Sequence, residues 1–167
     1  MESLFGITGS KVLLTGGTGG IGSALVEGFL RAGAHVCMLA RDEDAVKISQ
    51  QKYSEFGGNL TYVIADFLSD DSCLSAVAQA TKALGQIDTL VLAHGNAMPG
   101  PAIDLTLDAW SAQIQVNLTA TFRLAQAVAP EMIKRKSGKI ITYASMLTFQ
   151  GGLNVAGYAA SKGGVGQ

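Results

Sequence analysis

The chain has little charge, few cysteines and few prolines for its length. Charged residues make up 15% of its 167 residues and the net charge is −1, so no basic surplus indicates nucleic acid or an anionic membrane as a partner. The only two cysteines, Cys37 and Cys73, form no C-x-x-C motif, which favours free thiols in a reducing compartment over a zinc site. The start, Met1-Glu2-Ser3, lacks a signal peptide's basic region, and no apolar run approaches the roughly 18 residues of a membrane span. These absences predict a cytoplasmic protein without a metal site.

Hydrophobic residues and glycines are abundant. Hydrophobic residues make up 48% of the chain, which is ample for one buried core and excludes a disordered polypeptide. Glycine contributes 21 residues without a collagen-like period, so we expect it at tight turns and at close backbone contacts. The length predicts a single domain over residues 1–167.

Short apolar runs alternate with longer amphipathic segments. Buried strands separated by helices predict an α/β fold with a doubly wound parallel sheet, in the strand order 3-2-1-4-5. Ligands of such folds bind beyond the carboxyl ends of the strands, near the switch between strands 1 and 4. The predicted strands cover 12–14, 36–39, 62–65, 89–93 and 139–143, and the predicted helices cover 21–32, 42–56, 69–84 and 107–136, with a last helix from about Tyr158.

A glycine cluster follows the first predicted strand and opens the first helix. The stretch from Thr15 to Gly22 fits two patterns, G-x-G-x-x-G and T-G-x-x-x-G-x-G. Bare amides at a helix N-terminus bind anions, and glycines let a pyrophosphate approach the backbone. The cluster therefore predicts a dinucleotide site, although a strand-to-helix turn without a ligand is the alternative. The candidate cofactor-binding residues of the loop are Gly16, Thr18, Gly20, Ile21 and Gly22.

The residues after strands 2 and 3 bear on which dinucleotide binds. A fold that binds NAD usually has an acid at the end of strand 2 for the ribose hydroxyls, whereas Arg41 stands here. A guanidinium suits a 2′-phosphate, which favours NADP(H) and leaves NAD(H) open. Arg41 could instead be a solvated charge beside Asp42, the cap of the next helix. Asp66 after strand 3 either accepts a hydrogen bond from the adenine or only begins the turn before Ser69.

Four residues form a candidate catalytic group. Tyr158 and Lys162 are four residues apart and share one helix face. A phenol alone is a poor acid–base catalyst at neutral pH, but an adjacent ammonium favours its phenolate. Ser145 follows the fifth predicted strand, where it could hold a substrate oxygen near Tyr158. Asn117 is an amide inside an apolar helix; it either anchors water toward Lys162 or is a satisfied core amide.

Together these motifs resemble the short-chain dehydrogenase/reductase family of the classical type. The resemblance adds Gly85-Gln86-Ile87-Asp88 before strand 4 and runs from about Lys11 to the end of the chain. It implies a Rossmann-like fold, NAD(P)(H), reversible oxidation of a secondary alcohol to a ketone, and homodimers or homotetramers. It also implies that Asn117, Ser145, Tyr158 and Lys162 form the catalytic tetrad, that Lys162 and Tyr158 contact the cofactor, and that Gly95 lies in the cofactor site. The stretch 145–152 is similar to the sugar-acid dehydrogenases of that family, such as 2-deoxy-D-gluconate 3-dehydrogenase.

The chain departs from the family pattern in three ways. The family's sugar-acid members often use NAD(H), whereas Arg41 favours NADP(H). The family usually has Asn-Asn-Ala-Gly after strand 4, and Leu92-Ala93-His94-Gly95 retains only the glycine. We interpret His94 as a loop histidine rather than a catalyst, and the lost amides put the bracing of the sheet in doubt. Family members commonly continue with two further strands and a substrate-binding loop, so we expect an uncovered edge at strand 5 and a frayed, glycine-rich last helix. The alternative function is accordingly a nucleotide-binding module or an inactive dehydrogenase fragment.

Overall fold

The computed structural model describes residues 6–167, which form one parallel sheet with helices on both faces. Its strand order is β3-β2-β1-β4-β5, and every neighbouring pair of strands is parallel. This confirms the predicted doubly wound α/β fold. The strands are β1 (Lys11–Thr15), β2 (His35–Ala40), β3 (Leu60–Ile64), β4 (Thr89–Leu92) and β5 (Lys139–Thr142), and the helices are α1 (Gly20–Arg31), α2 (Glu43–Lys52), α3 (Asp70–Leu84), α4 (Leu107–Ile114), α5 (Ala120–Arg135) and α6 (Ala156–Gly166).

The two faces of the sheet bury separate apolar clusters. Val12 and Leu14 of β1 pack on one face with α1 and α2, whereas Leu13 packs on the other with α3 and α5. The alternation follows from the two-residue period of a strand. Because β1 is covered on both faces, its residues are almost continuously apolar, which is the pattern that predicted it.

Side-chain caps and glycines set the helix ends. The Asp42 carboxylate accepts from the backbone N–H groups of Asp44 and Ala45, and Ser69 accepts from Ser72 N. Helix α1 is followed by Gly33, and α3 by Gly85, both with positive φ. The second helix is shorter than predicted, however. It ends at Lys52 because Tyr53 turns inward and donates its hydroxyl to the Ser23 carbonyl, and a 3₁₀ segment, Ser54–Asn59, follows.

The long predicted helix over 107–136 is interrupted. A π turn at Gln115–Thr119 separates α4 from α5, so that the extra residue in the turn changes the helix face on which Asn117 lies. An apolar spacing of three and four residues does not reveal such an insertion. Asn117 is the buried residue of this turn.

The last helix begins at Ala156, before the predicted start, and continues to Gly166, although its glycines predict fraying. Its glycines permit close packing that offsets their low helix propensity. A Cβ at Gly164 would lie 2.6 Å from Leu118 Cδ2, and one at Gly166 would collide with Cγ2 of Thr148. Helix α6 is therefore supported by the π turn and by the segment after β5.

The β5 edge of the sheet is open. All four residues of β5 are exposed, and Ile140 and Ile141 each expose 41% of their surface. Over residues 6–167, no helix is long and apolar enough to cross a membrane, and no group of three His, Cys, Asp or Glu side chains is placed to hold a metal ion.

Candidate active site

Two adjoining cavities lie beyond the carboxyl ends of the strands. The glycine-loop cavity has a volume of about 260 Å³ and the tyrosine cavity about 320 Å³. The segment after β4 forms a wall of both. The shared lining residues are Ala93, His94, Gly95 and Asn96; the glycine-loop cavity adds Gly16, Thr18, Arg41 and Asp66, among others, and the tyrosine cavity adds Ile21, Tyr143, Tyr158 and Lys162.

The glycine loop is folded tightly against the segment after β4. Gly16 has φ of 72°, and a Cβ there would lie 2.9 Å from the Ala93 carbonyl oxygen. A Cβ at Gly22 would collide with the Gly16 carbonyl oxygen, so the loop can close only on a glycine. No side chain caps α1, whereas Asp42, Ser69 and Thr106 cap α2, α3 and α4. The N-terminus of α1 therefore presents backbone amides toward the cavity, as an anion site requires.

Arg41, Thr18 and Asp66 line the glycine-loop cavity together. Arg41 is exposed, which leaves its guanidinium able to meet a charged ligand group. The Asp66 Oδ1 atom accepts from Leu68 N at 2.9 Å, so Asp66 does begin the turn before α3. The position of this carboxylate in the cavity wall keeps its predicted role toward an adenine as a hypothesis.

Tyr158 and Lys162 lie on one wall of the tyrosine cavity. The Lys162 Nζ atom lies 5.7 Å from the centroid of the Tyr158 ring and donates to the Tyr143 carbonyl at 2.6 Å. Lys162 is only 5% exposed, and this burial lowers the pKa of its ammonium. This partly desolvated cation lies one helical turn from the phenol.

Asn117 is a satisfied buried amide. Its Oδ1 accepts from Asn96 N at 2.8 Å, and its Nδ2 donates to the Asn96 carbonyl and to Ser161 Oγ at 2.8 and 3.0 Å. The side chain thus clamps the segment after β4 onto α6. A Cβ added at Gly95 would lie 3.2 Å from Asn117 Oδ1 and 3.9 Å from Lys162 Nζ, so this segment passes close to both residues. A water link from Asn117 to Lys162 stays a prediction.

Ser145 occupies the start of a 3₁₀ turn, Met146–Thr148, between β5 and α6. Its Oγ accepts from Leu147 N at 3.2 Å, and its backbone N–H donates to Thr148 Oγ1 at 3.2 Å. Among the residues that the structure describes, no hydrogen bond joins Ser145 to Tyr158. Thr148 links Ser145 to the backbone of Lys162, because its hydroxyl donates to the Lys162 carbonyl at 2.9 Å.

His94 replaces the missing amides as a brace of the sheet. Its ring is 5% exposed, stacks on Phe67 with centroids 4.2 Å apart, and bonds through both nitrogens. The Val116 carbonyl, 3.0 Å from Nε2, can only accept, so Nε2 carries the proton and Nδ1 accepts from the Thr15 hydroxyl at 2.7 Å. Burial lowers the pKa of His94 to about 4, with a smaller contribution from the charge of Lys162. The ring is therefore neutral at physiological pH and is structural, in agreement with the interpretation from the sequence.

Sequence reasoning missed four residues of this network. Ser161 is fully buried and donates to the Tyr158 carbonyl at 2.7 Å. Gln113 is also fully buried and holds Met98 N at 3.1 Å. The others are Thr148 and the carbonyl of Tyr143. A polar residue inside an apolar stretch was the available signal for Gln113 and Ser161, but nothing in the sequence gives their partners.

The described residues fit a dinucleotide. The loop closes only with glycines, the first amides of α1 lack a side-chain cap, and the two cavities adjoin along Ala93–Asn96. Asn96 Oδ1, at the junction of the cavities, is buried and has no partner within residues 6–167, so a donor from a bound ligand would satisfy it. The shape of the cavities, the uncapped amides of α1 and the unpaired Asn96 oxygen all fit a bound dinucleotide.

The sequence is similar to known proteins over almost its whole length. The sequence model of the short chain dehydrogenase family matches residues 10–167. The chain is 36% identical over 171 residues to the 2-dehydro-3-deoxy-D-gluconate 5-dehydrogenase of Pseudoalteromonas atlantica, covering 100% of this chain and 66% of that protein. It is 32% identical over 165 residues to the 5-keto-D-gluconate 5-reductase of Escherichia coli K12, covering 99% and 65%.

A solved structure shows the same fold and a similar sequence. The protein from Beutenbergia cavernae, described as an NAD(P)-dependent gluconate 5-dehydrogenase with bound NADP at low occupancy, superposes with a TM-score of 0.90 at 37% identity and covers 98% of this chain and 65% of that one. The chain spans 52% to 66% of the length of the first curated relatives. Because the family model matches nearly the whole chain, the protein belongs to the short-chain dehydrogenase family.

Proposed function

We propose that the protein is an NADP(H)-dependent oxidoreductase that interconverts a secondary alcohol and a ketone on a small sugar acid. The observation that carries this proposal is the arrangement of the two cavities, with the glycine loop and Arg41 in one and Tyr158 and Lys162 in the other. The names of relatives that act on gluconate derivatives support the substrate class.

The glycine-loop cavity would hold the nucleotide. The uncapped amides of α1 would bind the diphosphate, and Gly16, Thr18, Gly20, Ile21 and Gly22 would form its cradle. Arg41 would meet the 2′-phosphate, Asp66 the adenine, and Gly95, Tyr158 and Lys162 the nicotinamide half. When bound, the nicotinamide supplies the hydride acceptor or donor.

The protein's own residues would handle the proton. Tyr158 would take the hydroxyl proton as the alcohol is oxidised and return it as the ketone is reduced, so that protons and electrons balance in both directions. Lys162 would favour the phenolate because its ammonium is held on the same cavity wall by the Tyr143 carbonyl. Ser145 would hold the substrate oxygen, and Asn117 would fix the segment 93–96 against α6.

Fluorescence titration and turnover test the proposal together. NADPH should bind about tenfold or more tightly than NADH, because a charge-assisted bond to a phosphate is worth about 1.5–3 kcal/mol. Arg41→Ala should close this gap, and tighter binding of NADH by the unmutated protein would contradict the cofactor assignment.

With 5-keto-D-gluconate as the substrate probe, Tyr158→Phe should lose turnover and keep its NADPH affinity. Lack of turnover by the unmutated protein would favour a binding module.

We also propose a cytoplasmic location and assembly into homodimers or homotetramers. Both cysteines are free and buried, which suits a reducing compartment. Large apolar side chains are exposed on α4 and α5, among them Leu107 at 81% and Phe122 at 60%. Light scattering on the purified protein tests the assembly: Phe122→Glu should shift the mass toward the monomer if this face is the interface. Cell fractionation tests the location.

A further inference from the structure

We propose that Thr148 is a positioning residue that sets Ser145 relative to the helix of Tyr158 and Lys162. The hydroxyl of Thr148 lies between the two parts of the catalytic group. It accepts from Ser145 N–H at 3.2 Å and donates to the Lys162 carbonyl at 2.9 Å. This inference rests on the proposed function, in which Ser145 holds the substrate oxygen.

The Thr148 hydroxyl ties the serine turn to α6. Within the turn, Thr148 N donates to the Ser145 carbonyl at 3.0 Å, and Ser145 Oγ accepts from Leu147 N. These bonds fix the shape of the turn but not its place beside α6. The Thr148 hydroxyl supplies that placement, since its acceptor is the backbone of Lys162 itself.

Packing supports the same contact. The methyl group of Thr148 lies so close to Gly166 that a Cβ there would collide with it, whereas a Cβ at Gly163 would meet no atom within 4 Å. The helix thus carries a glycine where the turn approaches. Hydroxyl and methyl group act together: the hydroxyl bonds to one turn of α6, and the methyl packs on the next.

A misplaced serine should reduce turnover more than binding. Displacement of about 1 Å in a reacting group can cost up to about a hundredfold in rate. Ser145 acts on the substrate oxygen in the proposed reaction, whereas the glycine loop that binds the nucleotide lies elsewhere. Loss of the Thr148 hydroxyl should therefore lower kcat and leave the NADPH dissociation constant almost unchanged.

Two substitutions at Thr148 provide a matched test. Thr148→Val keeps the shape and removes the hydroxyl, and it should lower kcat about tenfold or more, with KM and the NADPH dissociation constant within about threefold. Thr148→Ser keeps the hydroxyl and should retain kcat within about threefold. Equal losses in both variants, or a kcat of Thr148→Val within about twofold of the original, would overturn the proposal.

A second pair of variants tests the packing contact. Gly166→Ala should lower kcat although alanine favours helix, because its Cβ displaces the turn. Gly163→Ala has room for its Cβ and serves as the matched control, with kcat expected within about twofold. If both variants lower kcat equally, the loss comes from α6 in general and not from Thr148.

Amide hydrogen exchange gives a readout that does not require activity. The Ser145 N–H should be protected in the unmutated protein and in Thr148→Ser, and it should exchange at least about tenfold faster in Thr148→Val. If the unmutated protein binds no NADPH and turns over no substrate, the proposed function fails, whereas the exchange rates still decide whether Thr148 holds Ser145. An unchanged exchange rate of the Ser145 N–H in Thr148→Val would show that the Thr148 hydroxyl does not hold Ser145 in place.

Discussion

The glycine-loop cavity and the tyrosine cavity are formed by different kinds of chemical groups. The first is formed by backbone amides and exposed side chains, with Thr18 and Arg41 both open to solvent. The second depends on buried polar side chains, with Asn117, Ser161 and Lys162 exposed by 1%, 0% and 5%. The shape of the glycine-loop cavity depends on glycines that leave room for the backbone. The shape of the tyrosine cavity depends on buried polar groups that each need a hydrogen-bond partner.

This difference determines how each side responds to mutation. Removing a member of a buried polar network leaves its partners unsatisfied, which costs free energy of unfolding. Filling space in the glycine loop changes ligand binding first, because the loop lies at the surface. The expected effects therefore separate into changes of stability on the tyrosine side and changes of affinity on the glycine side.

The largest expected effect is that of Asn117→Ala. The substitution leaves the Asn96 N–H and carbonyl without a partner and removes the donor to the Ser161 hydroxyl, which keeps its bond to the Tyr158 carbonyl. At about 1–3 kcal/mol for each unsatisfied buried group, relieved in part by water, the loss should be about 4 kcal/mol. Urea unfolding measures it. Gln79→Ala on the exposed face of α3 is the control and should change stability by less than about 0.5 kcal/mol. A loss below about 1 kcal/mol for Asn117→Ala would show that the network is not cooperative.

The pH dependence of the free energy of unfolding should reflect the protonation of His94. Its pKa is about 4 in the folded protein and 6.5 as the ordinary value, so the unfolded chain binds the proton more readily. The contribution of neutral His94 to the free energy of unfolding is therefore complete above pH 6.5, declines as the pH falls, and is lost below pH 4. A difference of about 2.5 pKa units corresponds to about 3 kcal/mol.

Two histidine variants isolate this contribution in urea unfolding. His94→Gln cannot titrate, so the stability of the unmutated protein relative to this variant should fall between pH 6.5 and 4. His35→Gln retains His94 and should keep the same decline. A difference between the unmutated protein and His94→Gln that stays constant with pH would contradict the neutral brace between Thr15 and Val116.

The same two cavities show how much could be predicted from the sequence. The sheet order follows from strand periodicity and is confirmed by the fold. The glycine loop and Arg41 follow from contiguous residues and line one cavity, and their role toward a cofactor stays a prediction. Thr148, Ser161 and the Tyr143 carbonyl could not be predicted, because their partners are distant in sequence and become neighbours only after folding. The π turn at 115–119 was missed because one extra residue leaves an apolar helix pattern almost unchanged.

On the glycine side, Gly22→Ala should weaken NADPH binding about tenfold or more. The added Cβ collides with the Gly16 carbonyl oxygen, and relief of that collision must move the amides that would bind the diphosphate. Fluorescence titration measures the dissociation constant, and urea unfolding shows whether the fold is retained. NADPH affinity within about twofold of the original would show that the loop tolerates displacement and that its shape does not determine binding.

The smallest expected effect is that of Gly28→Ala, which replaces a glycine of α1 that lies outside the glycine loop. Gly28 lies on the exposed side of α1, and a Cβ added there would meet no atom within 4 Å. Gly28→Ala should raise the free energy of unfolding by about 0.5–1 kcal/mol, because alanine loses less backbone entropy in a helix. NADPH affinity should not change. A loss of affinity in Gly28→Ala similar to that in Gly22→Ala would mean that binding depends on the flexibility of α1 far from its N-terminus. The contacts at Gly16 and Gly22 would then not by themselves set the shape of the cradle.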